Sequence, residues 1–263
     1  MVCSVPVSLG EHDKSDWVDH LIKHGFVTIP NFMGATEVFE LSTRLESLIE
    51  DNVAQDIPDP YMVHNPMFRD PKFYEVLRES ILTQIVSQFL GPTFTLYAFT
   101  TSSMPPNGTN WSRRVHVDCP RLVPDYPTNM NAFIALSDMN GVNGGIELLP
   151  DSQWLAVPPT VDEFETHSLI PDLDAGSLLV FYSRLWHSGG FNTTSKARHA
   201  LTFNFCRSYM RQRFDYPRMV PESDIPKLDT MQLQLLGFNV RVPTSLSEYY
   251  LPVHKRLYKP DQG

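Results

Sequence analysis

A jelly-roll of antiparallel β-strands with helices packed on one side is the fold class this sequence predicts. Three observations carry the prediction. The first third of the chain has helical periodicity. From residue 93 onward, short alternating stretches rich in β-branched and aromatic residues take over. Clusters of Gly, Pro, Asn and Asp separate those stretches. A chain of 263 residues with 42% hydrophobic and 11% aromatic content can bury one large core. We therefore expect one domain over 1–263, with a helical part at 15–92, a jelly-roll core at 93–207 and a C-terminal extension at 208–263.

Residues 15–24 (SDWVDHLIKH) predict a short helix that Gly25 ends, and 26–29 (FVTI) a strand that Pro30 stops. The longest amphipathic pattern spans 36–54, where Val38, Leu41, Leu45, Leu48 and Ile49 recur at helical spacing. Residues 55–70, rich in Asp and Pro, predict a loop. Two further helical segments are expected at 72–79 and 81–90, closed by Gly91-Pro92. Strand patterns then follow at 93–101, 111–118, 129–137, 145–149, 166–170, 177–182, 184–188 and 198–207. Residues 209–223 are basic and aromatic loop material, 224–237 a last helix, and the tail from 238 mostly irregular.

Lys and Arg number 21 against 30 Asp and Glu, a formal net charge of −9 that disfavours nucleic acid and anionic membranes as partners. Cys3, Cys119 and Cys206 are odd in number and far apart. They form neither a disulfide framework nor a zinc-finger spacing, which points to a reducing compartment. No export signal and no long apolar run stands out, so a cytoplasmic setting is expected.

One stretch carries more chemistry than packing: Arg113-Arg114-Val115-His116-Val117-Asp118. In an extended chain Ser112, Arg114, His116 and Asp118 share one face, a poor core but a good metal and anion site. A His and an Asp two apart on a strand can serve as two members of a His-His-carboxylate facial set. The pattern is common by chance, so a second His is required. His187 stands at the end of an apolar stretch, just before Gly189 and Gly190. Arg198 follows eleven residues later and opens a run in which Arg198, Ala200, Thr202 and Asn204 share a small or polar face. That face suits a cavity wall, and the alternate face of His199, Leu201, Phe203 and Phe205 suits the interior.

Together, His116-x-Asp118, His187 and Arg198 resemble the phytanoyl-CoA dioxygenase family of Fe(II)- and 2-oxoglutarate-dependent oxygenases. Three more stretches resemble it over roughly 15–210: HGFVTIPNF at 24–32, NGGIELLPDSQ at 143–153, and HSGGFNTTSKAR at 187–198. There are two departures. Asp151-Ser152-Gln153 replaces the usual Gly-Ser-His, and Arg114 stands where relatives often carry Gln.

The resemblance implies a double-stranded β-helix, a cupin-like jelly-roll. It implies Fe(II) held by His116, Asp118 and His187, with the remaining positions left to 2-oxoglutarate and O2. Arg198 would hold the far carboxylate of 2-oxoglutarate, since a guanidinium grips a carboxylate in two-pronged geometry. Arg114 is a candidate for the near carboxylate or for an acidic group of the substrate, and Asn131 for co-substrate contact. Arg121, Phe99 and Trp186 are weaker substrate candidates, as are Tyr61 and Phe68 at the pocket wall. Asp118, where some relatives carry Gly or Ala, argues against a halogenase. The expected activity is oxidation of a C–H group of a small molecule, by hydroxylation, desaturation or ring closure, in natural-product metabolism, by a monomer or homodimer. A fatty acyl-CoA hydroxylase using Arg207, Arg211, Arg213 and Arg218 is one alternative. A cupin-like metal-binding sensor without turnover is another.

Overall fold

Helix α1 (Lys14–His24) runs into Gly25, whose backbone N–H closes the helix on the Leu21 carbonyl at 2.9 Å with φ +82°. Only glycine fits there, because a Cβ would sit 2.5 Å from Gln153 Oε1 and 2.6 Å from Leu185 Cδ1. This computed structural model describes residues 14–259 and Gln262, so Cys3 lies outside the described residues. The turn feeds β1 (Phe26–Ile29), buried along its length. Helix α2 (Ala35–Ala54) buries Val38, Leu41, Leu45, Leu48 and Ile49, the stripe its periodicity predicts.

The expected helix at 72–79 is instead a 3-10 segment, Pro71–Leu77, preceded by a shorter one at Pro66–Phe68. Asp70 caps the longer segment by accepting from the Lys72 backbone, and Ser80 then restarts the chain as α3 (Ile81–Leu90).

The strands are β2 (Thr95–Thr101), β3 (Asn129–Ala135), β4 (Ile146–Leu148), β5 (Leu178–Tyr182), β6 (His187–Gly189) and β7 (Ala200–Cys206), with helix α4 (Val161–His167) between β4 and β5. They form a five-stranded antiparallel sheet in the order β1-β5-β3-β7-β2, and a small antiparallel sheet of β4 and β6. Single bridges widen the small sheet, with His116 beside His187 and Leu169 beside Leu148. The core fills the space between the large sheet and the helices, with Phe99 and Phe203 stacked at 4.5 Å within it.

Three strand expectations change. Residues 166 and 167 end α4, whose start Thr160 and Glu163 fix with a capping box, and of 168–170 only Leu169 pairs as a strand residue. Residues 111–118 begin with a 3-10 turn, Trp111–Arg113, because the Asn110 side chain accepts from the Ser112 backbone. Residues 183–186 turn, with Leu185 N–H bonded to the Tyr182 carbonyl, before β6 starts at His187.

After β7 come α5 (Tyr216–Met219), α6 (Thr230–Leu235) and α7 (Leu246–Tyr249). The expected helix at 224–237 is thus broken at Leu228-Asp229, where Asp229 caps a new start. No helix among the described residues is long and apolar enough to cross a membrane.

Candidate metal centre and cavity

His116 and His187 form a doubly hydrogen-bonded antiparallel pair, each backbone N–H bonding the other's carbonyl at 2.9 and 3.0 Å. Residues paired this way project side chains from the same face. The two imidazoles accordingly lie 4.3 Å apart, ring centre to ring centre. Asp118, two residues beyond His116, returns to that face, and its backbone is pinned by the Ser183 carbonyl.

Each ring uses Nδ1 on a carbonyl two residues back: His116 on Arg114 O at 2.7 Å, His187 on Leu185 O at 2.9 Å. A carbonyl only accepts, so Nδ1 carries a proton, and Nε2 is the nitrogen each ring turns toward Asp118 and, when deprotonated, offers to a metal. Those Nε2 atoms lie 3.4 Å and 3.8 Å from the two Asp118 oxygens. One ligand atom from each of the three residues falls within 4.8 Å of the others. Two imidazole nitrogens, once deprotonated, and a carboxylate on one face are a donor set suited to a first-row divalent metal.

Asp118 is tied from behind. Burial opposes ionisation of its carboxyl, but the His116 hydrogen bond, the charges of His187 and His116, and the Asn131 amide hold it down to about 2. Asn131 donates to Asp118 Oδ2 through Nδ2. Its Oδ1 accepts from Ser183 Oγ at 2.8 Å and from Asn204 Nδ2, and Asn204 is in turn held by Asn129. With Oδ1 engaged by two donors, the amide must turn its NH2 toward Asp118. The contact drawn by Asn131 is therefore with a ligand carboxylate. The alternating Asn129, Asn131 and Asn204 on neighbouring central strands were a signal for this network, whereas Ser183 had none.

A cavity of about 300 Å³ opens in front of this group. Ser112, Arg114, His116, Asp118, Asn131, His187, Arg198, Thr202 and Asn204 all line it. Strand alternation placed most of these correctly; Ser112 and Arg114 arrive although the strand there gives way to a turn. Phe99 does not line the cavity, being wholly buried and stacked on Phe203, and neither does the half-buried Trp186. Arg121 borders a separate small cleft. Tyr61 and Phe68 pack against the core instead of the cavity. The wall residues that sequence reasoning missed include Met62, His64 and Tyr97, which come from loops and a bulge with no periodic signal, while Arg213, named only for the acyl-CoA alternative, also lines the cavity.

Arg198 closes one end of the cavity. It is 2% exposed and donates to the Ser102 carbonyl at 2.8 Å and the Gly144 carbonyl at 2.6 Å. Burial pulls its guanidinium down to about 10. Its Nε has no hydrogen-bond partner, and neither does the buried Thr202 Oγ1 four residues on along the same strand face. None of the described acids pairs with Arg198. A buried guanidinium without a counter-charge is costly, and an entering carboxylate would supply both the charge and the missing acceptors. The site chemistry therefore fits a metal chelated beside an anchored dicarboxylate.

The model of the phytanoyl-CoA dioxygenase (PhyH) family matches residues 21–200. An uncharacterised protein of Mycobacterium tuberculosis is 33% identical over 199 residues, covering 74% of this chain and 73% of that one. A dioxygenase of Aspergillus fumigatus, af480, is 24% identical over 246 residues, covering 84% of this chain and 78% of its own. Among solved structures, AviO1 from Streptomyces viridochromogenes has a TM-score of 0.63 at 19% identity, covering 77% of this chain and 98% of that chain. The non-heme alpha ketoglutarate dependent epimerase SnoN from nogalamycin biosynthesis has a TM-score of 0.59 at 15% identity, covering 73% and 80%. At these identities the two structures speak for the jelly-roll fold.

Proposed function

The chain belongs to the phytanoyl-CoA dioxygenase family, and from that premise we propose that it is an Fe(II)- and 2-oxoglutarate-dependent oxygenase acting on a small molecule. The observation that carries the reading is the pairing of the His116–Asp118–His187 cluster with a buried, counter-ion-free Arg198 in one cavity. Iron and 2-oxoglutarate, once bound, supply the oxidising power that cleaves a substrate C–H bond, with succinate and CO2 released.

In this reading His116 and His187 present Nε2 to the metal, and Asp118 contributes one carboxylate oxygen while Asn131 holds the other. Arg198 and Thr202 anchor the far carboxylate of 2-oxoglutarate, which fixes where its keto-acid end falls. Met104, Phe133 and Ile146 wall that part of the cavity with apolar surface and exclude water from it. We extend the reading to natural-product metabolism, a setting in which the structurally similar epimerase works. A cytoplasmic setting agrees with the free thiols of Cys119 and Cys206.

The acyl-CoA alternative loses support from one of its four arginines. Arg207 is spent on the Phe89, Leu90 and Pro127 carbonyls and on the Tyr126 ring. A sensor without turnover sits poorly with membership in a dioxygenase family.

The test is anaerobic addition of Fe(II) and 2-oxoglutarate to metal-free protein, followed by oxygen. The expected result is the weak visible charge-transfer band of a chelated keto acid, then succinate. Well-loaded protein that gives neither would overturn the proposal.

A further inference from the structure

The cavity has a second cationic end, and we infer that Arg114 and Arg213 there recognise an oxyanion group, a carboxylate or phosphate monoester, on the substrate. This rests on the oxygenase reading and adds the substrate's charge to it.

The two ends are far apart. Arg198 pairs by its backbone with Met104, where the extended chain after β2 ends. The backbone N–H of Arg213 bonds the Tyr97 carbonyl, near the start of β2. Seven residues of extended chain separate those attachment points, roughly 20 Å at about 3.3 Å per residue. The backbones of Arg198 and Arg213 are thus attached at opposite ends of this extended stretch.

The second end is assembled from three separate segments. Arg114 lies over the Trp111 ring, 5.1 Å from its centre. The Trp111 backbone N–H points to the Asp59 carboxyl. Asp59 and Arg213 both lie close enough to His64 to act on its charge. Arg114, Trp111, His64 and Arg213 all face the cavity.

The charge balance favours an anion. None of the described acids forms an ion pair with Arg114 or Arg213. The nearby acid, Asp59, is pushed toward its neutral form by burial, and its Oδ2 has no hydrogen-bond donor. His64 is pushed toward neutral as well, by burial and then by Arg213. Arg114 and Arg213 therefore bring two fixed positive charges to the cavity with no ion-pair partner among the described residues, in a chain of net charge −9. Arg114 stands two residues from His116, and both arginines share the cavity with the metal cluster, so a substrate held by its anionic group would lie beside that cluster.

The experiment measures binding by calorimetry to protein loaded with Mn(II) and 2-oxoglutarate, which fills the Arg198 end without turnover. The probes are hexanoate and 3-phenylpropionate, their primary amides, and hexyl phosphate. Each acid should bind at least tenfold tighter than its amide. Arg114→Gln with Arg213→Gln should remove that preference, weakening the acids roughly 10- to 100-fold while leaving the amides unchanged. Both arginines are exposed, so the double variant should fold, and an unchanged melting temperature checks that it does. The order of hexyl phosphate and hexanoate identifies which oxyanion fits. Equal binding of acids and amides, no binding of any acid, or a preference that survives the double substitution overturns the inference. If 2-oxoglutarate fails to bind the wild type, the oxygenase reading falls instead; the acid-against-amide comparison in the metal-free protein then decides the anion site by itself.

Discussion

Replacing Asn131 by Ala separates ligand positioning from packing. Asn131 is fully buried in the centre of the five-stranded sheet and makes three side-chain hydrogen bonds, to Asp118, Ser183 and Asn204. Truncation leaves those three groups short of a partner, at about 1–3 kcal/mol for each that stays unsatisfied. Ser183 and Asn204 can partly satisfy each other, since Asn204 Nδ2 already reaches Ser183 Oγ at 3.2 Å. The net loss of stability is then roughly 2–4 kcal/mol, a fall in melting temperature of roughly 5–15 °C for a chain of this size. Asp118 loses the donor that fixes its outer oxygen, and loss of such an outer contact weakens metal binding about 10–100-fold. Ser183→Ala is the control, because Asn204 still orients the Asn131 amide, and metal affinity should stay within about threefold. Competition of Mn(II) against a fluorescent chelator reads the affinity, and thermal melting reads the fold. A lower melting temperature for Asn131→Ala with metal affinity within threefold of wild type would refute the positioning role.

Arg198→Gln should raise the 2-oxoglutarate concentration for half-saturation by about 100-fold or more, through loss of a buried charge-assisted contact, while Mn(II) affinity stays near wild type; the anaerobic absorption band measures the first and chelator competition the second. Removal of metal by EDTA should abolish succinate formation, and Fe(II) should restore it where Zn(II) does not, read by succinate assay. Gly25→Ala should cost roughly 2–4 kcal/mol in melting experiments, because it combines a φ of +82° with a Cβ 2.5 Å from Gln153 Oε1. His199 gives a pH dependence. Burial, then the charge of Arg198, lowers its pKa to about 4, while Glu46 Oε1 at 3.6 Å from its Nε2 and Ser103 Oγ at 2.8 Å from its Nδ1 complete its surroundings. The unfolded chain takes up this proton below about 6.5 and the folded chain only near 4. Stability should therefore fall as pH drops through that window, by at most about 1.4 kcal/mol per pH unit from this residue. Denaturant unfolding of His199→Gln should show a shallower slope there.

Several features were legible because they repeat at a fixed period. Alternation along 198–204 put Arg198, Thr202 and Asn204 on the cavity side and Leu201, Phe203 and Phe205 inside, and the structure keeps that division. The apolar stripe of α2 is likewise written in its spacing. His116, Asp118, His187 and Arg198 were legible as a set of spacings, and those spacings also brought the family into view. The amino-acid sequence by itself thus determined the jelly-roll class, the helical first part, and which residue types were available for a metal and an anion.

Only the tertiary structure decided what those residues face. The strand expected at 111–118 gives way to a turn because one Asn110 side chain captures the Ser112 backbone, a local competition that a period of two cannot register. Phe99 and Trp186 read equally well as cavity or core, since an aromatic residue satisfies either, and packing placed both away from the cavity. Asn131 shares the cavity face of its strand, but its partner was fixed by Ser183 and Asn204, which lie 52 and 73 residues away in the chain. His64 and Arg213 join the second cationic end through loops anchored on β2, contacts of long sequence separation with no pattern along the chain. Periodicity is a property of neighbours in sequence; the metal cluster, its supporting amides and the charge at the far end of the cavity depend on neighbours in space.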